Sequence, residues 1–370
     1  MRVLQLVSAF AYSGPAAATM SLCQELRALG HDVVIGHDTV RPMGNEHEEG
    51  MGPAVAAAGI PVARELALST RSGPLVWLRD RAALRARFTD VDVVHAHFSH
   101  DHALAVLARS GPRPVLVRTV HSRRSLQPRV GQRWLMQRAD AFIVHARARA
   151  DEGAASLGIP LERMHVIRGP VDVVRFHADD RAARRTRFRA GHAIPPDAPL
   201  LLMTAIFQAG RGHERVLRAW PQVRAAVPSA QLAFAGLGEL RPSMMELARG
   251  MEGVQFLGYL KDELPDAYAA ADASILLALG NDGYGRAVLE SMACGTPAAV
   301  PDLPEVAEVV AGTGAVWPEG DDDAQVGAVV SLLRAGPAVE VCRAVMVQRH
   351  APAQVARETE ALYRRLLETR

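Results

Sequence analysis

The stretch ASILLALGNDGYGRAVLESMACGTPAAV, residues 273–300, contains a strand, a glycine-rich loop, a helix and a second strand in succession. Its first seven residues form an apolar run typical of a buried strand. From residue 284 to residue 293, apolar side chains recur at helical spacing. A short apolar run, 297–300, follows as the next strand. This order of elements is typical of a parallel α/β sheet.

The same alternation of short β-branched runs and helical patterns extends along the whole chain, so the fold class is α/β. The predicted strands of the first half are VLQLV, DVVIG, DVVHAH, PVLVRTVH, AFIVHA and HVIRG. Those of the second half are LLMTA, QLAFAG, VQFLGY and ASILLAL, with PAAV and AVW as short additions. Because the runs are almost continuously apolar, we expect parallel sheets that are covered by helices on both faces.

The pattern restarts after a polar, proline-containing stretch, HADDRAARRTRFRAGHAIPPDAP (177–199). The segments before and after this stretch each begin with a strand, a loop and a helix. We therefore predict two doubly wound domains, 1–170 and 171–350, that face each other across a cleft. The hinge is expected between Gly169 and Pro199. The last segment, 351–370, is an amphipathic helix that we expect to pack back on the first domain. Open parallel sheets bind ligands at the carboxyl ends of their strands, which predicts a site between the domains.

Composition excludes several classes of protein. The chain has 370 residues, 49% of them hydrophobic, and a formal net charge of +2, which argues against an electrostatic nucleic-acid binder. Lys261 is the single lysine, so arginine supplies nearly all of the positive charge. The three cysteines are widely spaced and form neither a disulfide framework nor a metal motif. No apolar run approaches the roughly 20 residues of a membrane span, and the short apolar start is read as a strand. We therefore expect a soluble, cytoplasmic protein.

Two carboxylates flank the glycine turn of the opening stretch. Asp282 precedes Gly283, Tyr284 and Gly285, and Glu290 lies within the helix among apolar neighbours. The helix N-terminus favours anions, and glycines allow a ligand to approach the backbone. A half-buried glutamate needs hydrogen-bond donors, which two ribose hydroxyls would supply. A capped helix with an acidic loop and a solvated glutamate fits the same residues.

The segment NDGYGRAVLESMACGTPAAVPDLPEVAEVV closely resembles the donor-binding signature of retaining glycosyltransferases of the GT-B type, family GT4. That signature has an acidic residue, seven others and a glutamate, followed by a small residue and Met-Ala-x-Gly-x-Pro. Further similar segments occur in the same order along the chain. They are GHDVVI, VDVVHAHFSHDHAL, RTVHS, HVIRGPVDVVRF, FAGLGE and FLGYLKDELPDAYAAADASILLAL. The resemblance implies two Rossmann-like domains, the first binding the acceptor and the second the nucleotide-sugar.

The resemblance also implies roles for residues of the opening stretch. Glu290 would hold the ribose of the donor, and Asp282 would contact hydroxyls of the transferred sugar. Backbone N–H groups around Gly283, Tyr284 and Gly285 would meet the sugar and the diphosphate. The family usually has a glutamate where this chain has Asp282, which is one methylene shorter.

A second signature, LLMTAIFQAGRGHERVLRAW, departs from the family pattern. In the family, an arginine at the strand end and a lysine-glycine pair five positions later bind the leaving diphosphate. Here Arg211 and Gly212 stand at the lysine-glycine position, whereas the arginine position holds Ile206. Losing one such donor typically costs about 3 kcal/mol of transition-state stabilisation. Arg286 is a candidate replacement, and an ordinary surface arginine is the other interpretation.

Three further residues take roles from the resemblance. Gly14 lies in the first strand-to-helix loop, and Gly238, in FAGLGE, lies in the second domain; both would approach the donor. The loop at Gly14 lacks the GxGxxG spacing of a dehydrogenase. His121, at the end of RTVH, would touch the transferred sugar, although a lone histidine at a strand end is more often structural.

The histidine-rich segment HAHFSHDH (95–102) could suggest a metal site. Alternation places His95 and His97 on one face of a strand. No set of carboxylates or cysteines accompanies these two histidines, or the next two, His100 and His102. We favour a packed, hydrogen-bonded strand end, in line with a metal-independent family.

Residues 109–149 contain ten arginines and one acid, Asp140, with Trp134 among them. This composition predicts a basic surface, either for a phosphorylated or lipid-linked acceptor or for the anionic leaflet at the inner face of a membrane. Ordinary arginine-rich solvation of helix faces is the other interpretation.

The expected activity is transfer of a sugar from a UDP- or GDP-sugar to an acceptor hydroxyl with retention, without a cofactor or a metal. His121, Asp282 and Arg211 are the candidate catalytic residues. Two alternatives remain open. One is a nucleotide-sugar epimerase of the same architecture, which needs no acceptor, and the other is a nucleotide-sugar-binding protein without transfer activity.

Overall fold

The computed structural model describes residues 1–39, 50–277 and 284–369. The chain divides into two compact units, one formed by Met1–Pro170 and Pro352–Arg370 and the other by Val171–Ala351. Asp282 and Gly283 lie outside the described residues.

Unit 1 is built on a six-stranded parallel sheet with the order β2-β1-β3-β4-β5-β6. Its strands are β1 Arg2–Val7, β2 Asp32–His37, β3 Val93–Ala96, β4 Val115–Thr119, β5 Ala141–Val144 and β6 Met164–Val166. Its helices are α1 Gly14–Ala28, α2 Met51–Ala57, α3 Pro74–Arg87, α4 Ser99–Ala108, α5 Gln132–Met136 and α6 Arg147–Leu157. The strands are buried on both faces, as their continuous apolar runs predict.

Unit 2 has a second six-stranded parallel sheet with the order β12-β11-β10-β7-β8-β9. Its strands are β7 Leu200–Thr204, β8 Gln231–Ala235, β9 Val254–Gly258, β10 Ala273–Ile275, β11 Ala298–Pro301 and β12 Ala315–Trp317. Its helices are α7 Arg181–Gly191, α8 His213–Ala226, α9 Arg241–Leu247, α10 Leu264–Ala270, α11 Arg286–Ala293, α12 Pro304–Val310, α13 Asp322–Ala335 and α14 Val339–Arg349.

The strand order of unit 2 determines where a ligand can bind. The chain begins at β7 in the middle of the sheet, continues outward to β9, and returns to β10 on the opposite side of β7. The loops that follow β7 and β10 therefore diverge from adjacent strands at the carboxyl edge of the sheet. Such a switch point is where open α/β sheets bind their ligands.

The stretch 177–199, which the sequence suggested as a separator, contains helix α7 and belongs to unit 2. Arg181 donates to the backbone carbonyl groups of Cys294 and Ala271, and Arg189 donates to that of Ala270 and to the carboxylate of Asp272. These bonds fasten α7 beside α10.

The final helix, α15 Pro352–Glu368, packs against α1 of unit 1. Its buried side chains, Val355, Ala356, Leu362 and Tyr363, join the apolar cluster on that face of the first sheet. The structure also pairs His31 with Glu360 at 2.9 Å.

Candidate functional site

The loops at the switch point of unit 2 pack so closely that glycine is required at their contacts. Gly212 precedes α8 with a φ of +79°, and a Cβ atom there would lie 2.5 Å from Leu277 Cβ. Gly238 has a φ of +145°, and a Cβ atom there would lie 2.4 Å from the carbonyl oxygen of Phe207. Gly212 therefore lies directly against the end of the β10 segment, and Gly238 lies against the loop after β7. Ile206 lies in this region with half of its surface exposed.

Helix α11 begins at Arg286, two residues later than its apolar pattern suggests. Gly285 precedes it in a left-handed conformation with a φ of +67°. A Cβ atom at this position would lie 2.4 Å from Val306 Cγ1, so a side chain is excluded by both strain and space. Tyr284 is buried beside it. The first backbone N–H groups of a helix have no acceptor in a preceding turn of the same helix, so a ligand can accept hydrogen bonds from them.

Glu290 is buried, with 4% of its surface exposed, and two side chains contact its carboxylate. Arg286 Nε lies 2.6 Å from Oε1, and the Tyr268 hydroxyl donates to Oε2 at 3.3 Å. Burial, and then the charge of Glu290, raise the pKa of Tyr268 well above its ordinary value. Although burial opposes it, the Glu290 carboxylate holds the pKa of Arg286 above its usual range. The site therefore contains a fixed anion beside a fixed cation.

The sequence did not identify two residues of this region. Tyr268 lies on α10, twenty-two positions before Glu290, so no local spacing links the two. His213 is buried at the start of α8, and its ring stacks on Phe207 with centroids 4.1 Å apart. Burial lowers the pKa of His213 to about 4, which keeps its ring neutral near pH 7. Arg211 is half-buried just before it.

The candidate residues of unit 1 lie at its own switch point. Gly14 is the first residue of α1, and His121 follows β4. His121 is buried, and its Nε2 atom lies 3.0 Å from His97 Nδ1. Burial holds the pKa of His121 well below its ordinary value. Gly14 and His121 thus both lie at the carboxyl edge of the first sheet.

The other histidines of the segment 95–102 separate into different surroundings. His95 and His97 are buried and hydrogen-bonded, whereas His102 packs against Phe142 with ring centroids 6.3 Å apart. In the described part of the chain, no three histidine, cysteine or acidic side chains are arranged to hold a metal ion.

The arginines of 109–149 divide between internal and exposed positions. Arg118 is buried and donates to the carbonyl oxygen of Phe98, and Arg109 pairs with Asp140 at 2.6 Å. Others remain exposed and pair with no carboxylate among the described residues: Arg124, Arg129, Arg133 and Arg138. Trp134 is exposed among them, with the guanidinium of Arg138 3.6 Å above its ring. Over the three described ranges, no helix is both long and apolar enough to cross a membrane.

Comparisons with known proteins agree with this architecture. Residues 12–175 match the family model for Glycosyltransferase Family 4, and residues 198–335 match that for Glycosyl transferases group 1. The D-inositol 3-phosphate glycosyltransferase 1 of Catenulispora acidiphila is 30% identical over 280 residues, which are 67% of this chain and 65% of that protein. The chain therefore aligns with slightly less than two thirds of that relative.

Solved structures show the same fold. A glycosyltransferase from Rickettsia africae superposes with a TM-score of 0.80 at 16% identity, over 100% of this chain and 99% of the other. Anabaena HepE, in complex with UDP and glucose, superposes with a TM-score of 0.77 at 16% identity, over 98% and 99% of the two chains. With two family models matched in order and both sheets of the GT-B fold present, this chain belongs to the group 1 glycosyltransferases, family 4.

Proposed function

We propose that the protein is a retaining glycosyltransferase that moves a sugar from a UDP- or GDP-sugar to an acceptor hydroxyl, without a metal ion or a cofactor. The observation that carries this proposal is the Glu290–Arg286 pair at the N-terminal end of α11, beside the glycine-lined switch point of unit 2. A carboxylate for ribose hydroxyls and a cation for a diphosphate are the two groups that a nucleotide-sugar requires. Family membership supports the same class of reaction.

Each residue has a distinct proposed task on the donor. Glu290 accepts hydrogen bonds from the ribose, and Gly285 lets the diphosphate approach the start of α11. The bond from Arg286 to Glu290 uses Nε, so the two terminal nitrogens of Arg286 can donate to phosphate oxygens. Arg211, beside Gly212, supplies a second cation.

The proposed chemistry proceeds on one face of the sugar. The bond between the anomeric carbon and the phosphate oxygen breaks, and the acceptor oxygen bonds to that carbon from the same side. The acceptor proton passes to the departing phosphate. Arg211, Arg286 and the N–H groups near Tyr284 stabilise the charge that develops on the leaving group. His121 and Asp282 orient the sugar.

A thermal-shift experiment tests the donor site. Wild type, Glu290→Gln and Asp272→Asn are melted with UDP-, GDP-, ADP- and TDP-sugars. Asp272 is a matched control, because it is a buried, arginine-paired carboxylate at the opposite edge of the same sheet. We expect one nucleotide to raise the melting temperature of wild type and Asp272→Asn but not of Glu290→Gln. If Glu290→Gln keeps the full shift, the donor assignment is wrong.

We further propose that unit 1 contacts an anionic surface, at the inner face of a membrane, through residues 123–138. The exposed arginines there surround two exposed apolar side chains, Val130 and Trp134, a combination that favours an anionic lipid interface. We expect the protein to sediment with vesicles that contain phosphatidylglycerol and not with pure phosphatidylcholine. Trp134→Ala should weaken that binding, whereas Leu75→Ala, which removes an even more exposed apolar side chain on α3, should not. Equal binding to both kinds of vesicle would refute the proposal.

A further inference from the structure

Four imidazole rings lie in a row at the carboxyl ends of β3, β4 and β5 in unit 1, the first three stacked and the fourth tilted. Ring centroids are 4.3 Å apart for His95 and His97, 5.3 Å for His97 and His121, and 5.6 Å for His121 and His145. Burial lowers the pKa of His95 to about 3 and holds those of His97 and His121 well below their ordinary values. Near pH 7 each of these three rings is therefore neutral and carries a single N–H.

A chain of hydrogen bonds connects three of these rings through two other buried side chains. His121 Nε2 lies 3.0 Å from His97 Nδ1, and His97 Nε2 lies 2.8 Å from Gln5 Oε1. The amide nitrogen of Gln5 donates to the Tyr363 hydroxyl at 3.4 Å. That hydroxyl lies 2.6 Å from His95 Nδ1. Tyr363 belongs to α15, so the last helix of the chain reaches the centre of this network.

The Gln5 amide determines the direction of the bonds that lead to His121. Its oxygen can only accept, so the proton of His97 is on Nε2 and His97 Nδ1 carries a lone pair. The Thr19 hydroxyl, which also lies near that atom, donates to the carbonyl oxygen of Pro15 at 2.9 Å. His97 Nδ1 thus accepts the Nε2–H of His121. His121 Nδ1 is consequently an acceptor, and it has no hydrogen-bond partner among the described residues.

The hydrogen bonds around Tyr363 and His95 support the same direction of donation. A separation of 2.6 Å between Tyr363 and His95 is typical of a hydroxyl donor and shorter than most N–H···O bonds. With the Tyr363 proton directed to His95 Nδ1, the Nε2–H of His95 donates to Thr119 Oγ1 at 2.7 Å. The oxygen of Tyr363 then accepts from Gln5. If the Gln5 amide turned over, each of these bonds would reverse, and His121 Nδ1 would carry the proton.

We infer that Gln5 and Tyr363 are positioning residues that fix the tautomer of His121, so that it presents an accepting Nδ1 atom. The catalytic consequence rests on the proposed function, in which His121 touches the transferred sugar. An accepting Nδ1 selects a sugar hydroxyl that can donate and disfavours an analogue whose substituent can only accept, such as a fluorine or a methoxy group. Gln5 and Tyr363 would then contribute to the choice of sugar without touching it.

Nitrogen-15 NMR of the full chain, labelled at histidine, tests the inference without any substrate. In wild type we expect His97 and His121 to be protonated at Nε2. In Tyr363→Phe, the ratio of the two His121 tautomers should fall about tenfold, the equivalent of one hydrogen bond of about 1.4 kcal/mol. Thr359→Val is the matched control, because it removes a buried hydroxyl from the same helix, and within the described ranges that hydroxyl bonds only to the Val355 carbonyl oxygen. A proton on His121 Nδ1 in wild type would overturn the inference.

A second variant ensures that the result does not depend on the folding of one protein. Gln5→Leu removes the amide and should change the His121 tautomer ratio in the same direction as Tyr363→Phe. An unchanged ratio in both folded variants would also overturn the inference. Sugar transfer is then compared between wild type and Tyr363→Phe. If the tautomer ratio changes while kcat and KM stay the same, the role of His121 at the sugar is wrong, and the positioning role of Tyr363 stands.

Discussion

At the scale of single residues, the central feature is a buried carboxylate with one charged and one neutral partner. Glu290 would be costly to bury alone, and Arg286 and Tyr268 offset part of that cost. Both partners also constrain the orientation of the carboxylate before a ligand arrives. Preorganisation of this kind reduces the free energy that binding must spend on ordering side chains.

This chain has Ile206 where the family pattern has an arginine, and this difference leads to a prediction about Arg286. We expect Arg286→Gln to lower the rate of transfer about 100-fold, because a fixed cation that stabilises the leaving diphosphate is lost. Adding Ile206→Arg to that variant should restore most of the rate, because Ile206 is exposed on the loop after β7. Initial rates at saturating acceptor measure both effects.

Arg218→Gln serves as the control for Arg286→Gln. Arg218 forms a pair with Glu214 at the same four-residue spacing, on the exposed face of α8 in the same unit. Its substitution should leave the rate unchanged. A normal rate in Arg286→Gln would show that Arg286 is only the structural partner of Glu290.

The sequence predicts some contacts of the site and not others, for a physical reason. The pair of Arg286 and Glu290 follows from helical spacing, since residues four apart lie on one face of a helix. Tyr268 and His213 could not be placed, because their contacts depend on how α10 and α8 pack against the sheet. Gln5, His97 and Tyr363 lie on three elements that are distant in sequence, so only the folded structure brings them together.

At the scale of elements, α7 shows how an arginine-rich helix can be internal. The guanidinium group of Arg189 is almost fully buried, and it donates to the Asp272 carboxylate at 2.9 Å and to backbone carbonyl groups, including that of Ala198. Arg185 shares the same carboxylate. The polar, proline-containing composition made this stretch look like a separator between two series of strands, because composition does not reveal which carbonyl groups a guanidinium will reach.

This arrangement predicts a large effect of one substitution. Arg189→Met should lower the free energy of unfolding of unit 2 by about 3 to 5 kcal/mol, because it leaves buried Asp272 with one cation fewer. Adding Asp272→Asn should recover part of that loss. Hydrogen exchange of β7 and β10 measures the effect in unit 2 alone. Equal losses in the single and double variants would mean that the backbone contacts of Arg189, and not its charge, hold α7.

The strands were more predictable than the helices. Ten of the twelve strands of the described chain agree to within two residues at both ends with the apolar run that predicted them, as with β1 at 2–7 and β8 at 231–235. Strands β6 and β10 begin within one residue of their runs but end earlier, at 166 and 275. Because these strands are buried on both faces, their residues are apolar almost throughout, and such short apolar runs are interpreted as strands. The start of α11 was misplaced because Gly285 adopts a left-handed conformation, which an apolar pattern does not reveal.

At the scale of the whole molecule, the two units differ in how many buried neutral histidines they contain. Unit 1 holds His95, His97, His102 and His121, whose pKa values are lowered strongly by burial. In an unfolded chain these groups titrate near pH 6.5. Below that pH the unfolded state binds more protons, so stability is lost as the pH falls towards the depressed native values, about 3 for His95.

We therefore expect unit 1 to be the more acid-sensitive unit. Acidification from about pH 7.5 to about pH 5.5 should cost unit 1 about 1 kcal/mol of stability for each of these four histidines. Unit 2 should lose less, because burial lowers the pKa of its His213 to about 4, whereas four buried histidines of unit 1 have strongly lowered pKa values. Hydrogen exchange of β3–β5 and of β7–β10 compares the units within one sample. Equal loss of protection in both sheets would contradict this explanation.

The return of α15 to unit 1 has a consequence for protein synthesis. All residues of unit 2 are synthesised, and emerge from the ribosome, before the helix that covers α1 emerges. At about 5 to 20 residues per second, unit 1 must wait about ten to forty seconds with that face and the Gln5 side chain uncovered. The nascent chain therefore completes its second unit first, and the histidine network closes only when Tyr363 emerges.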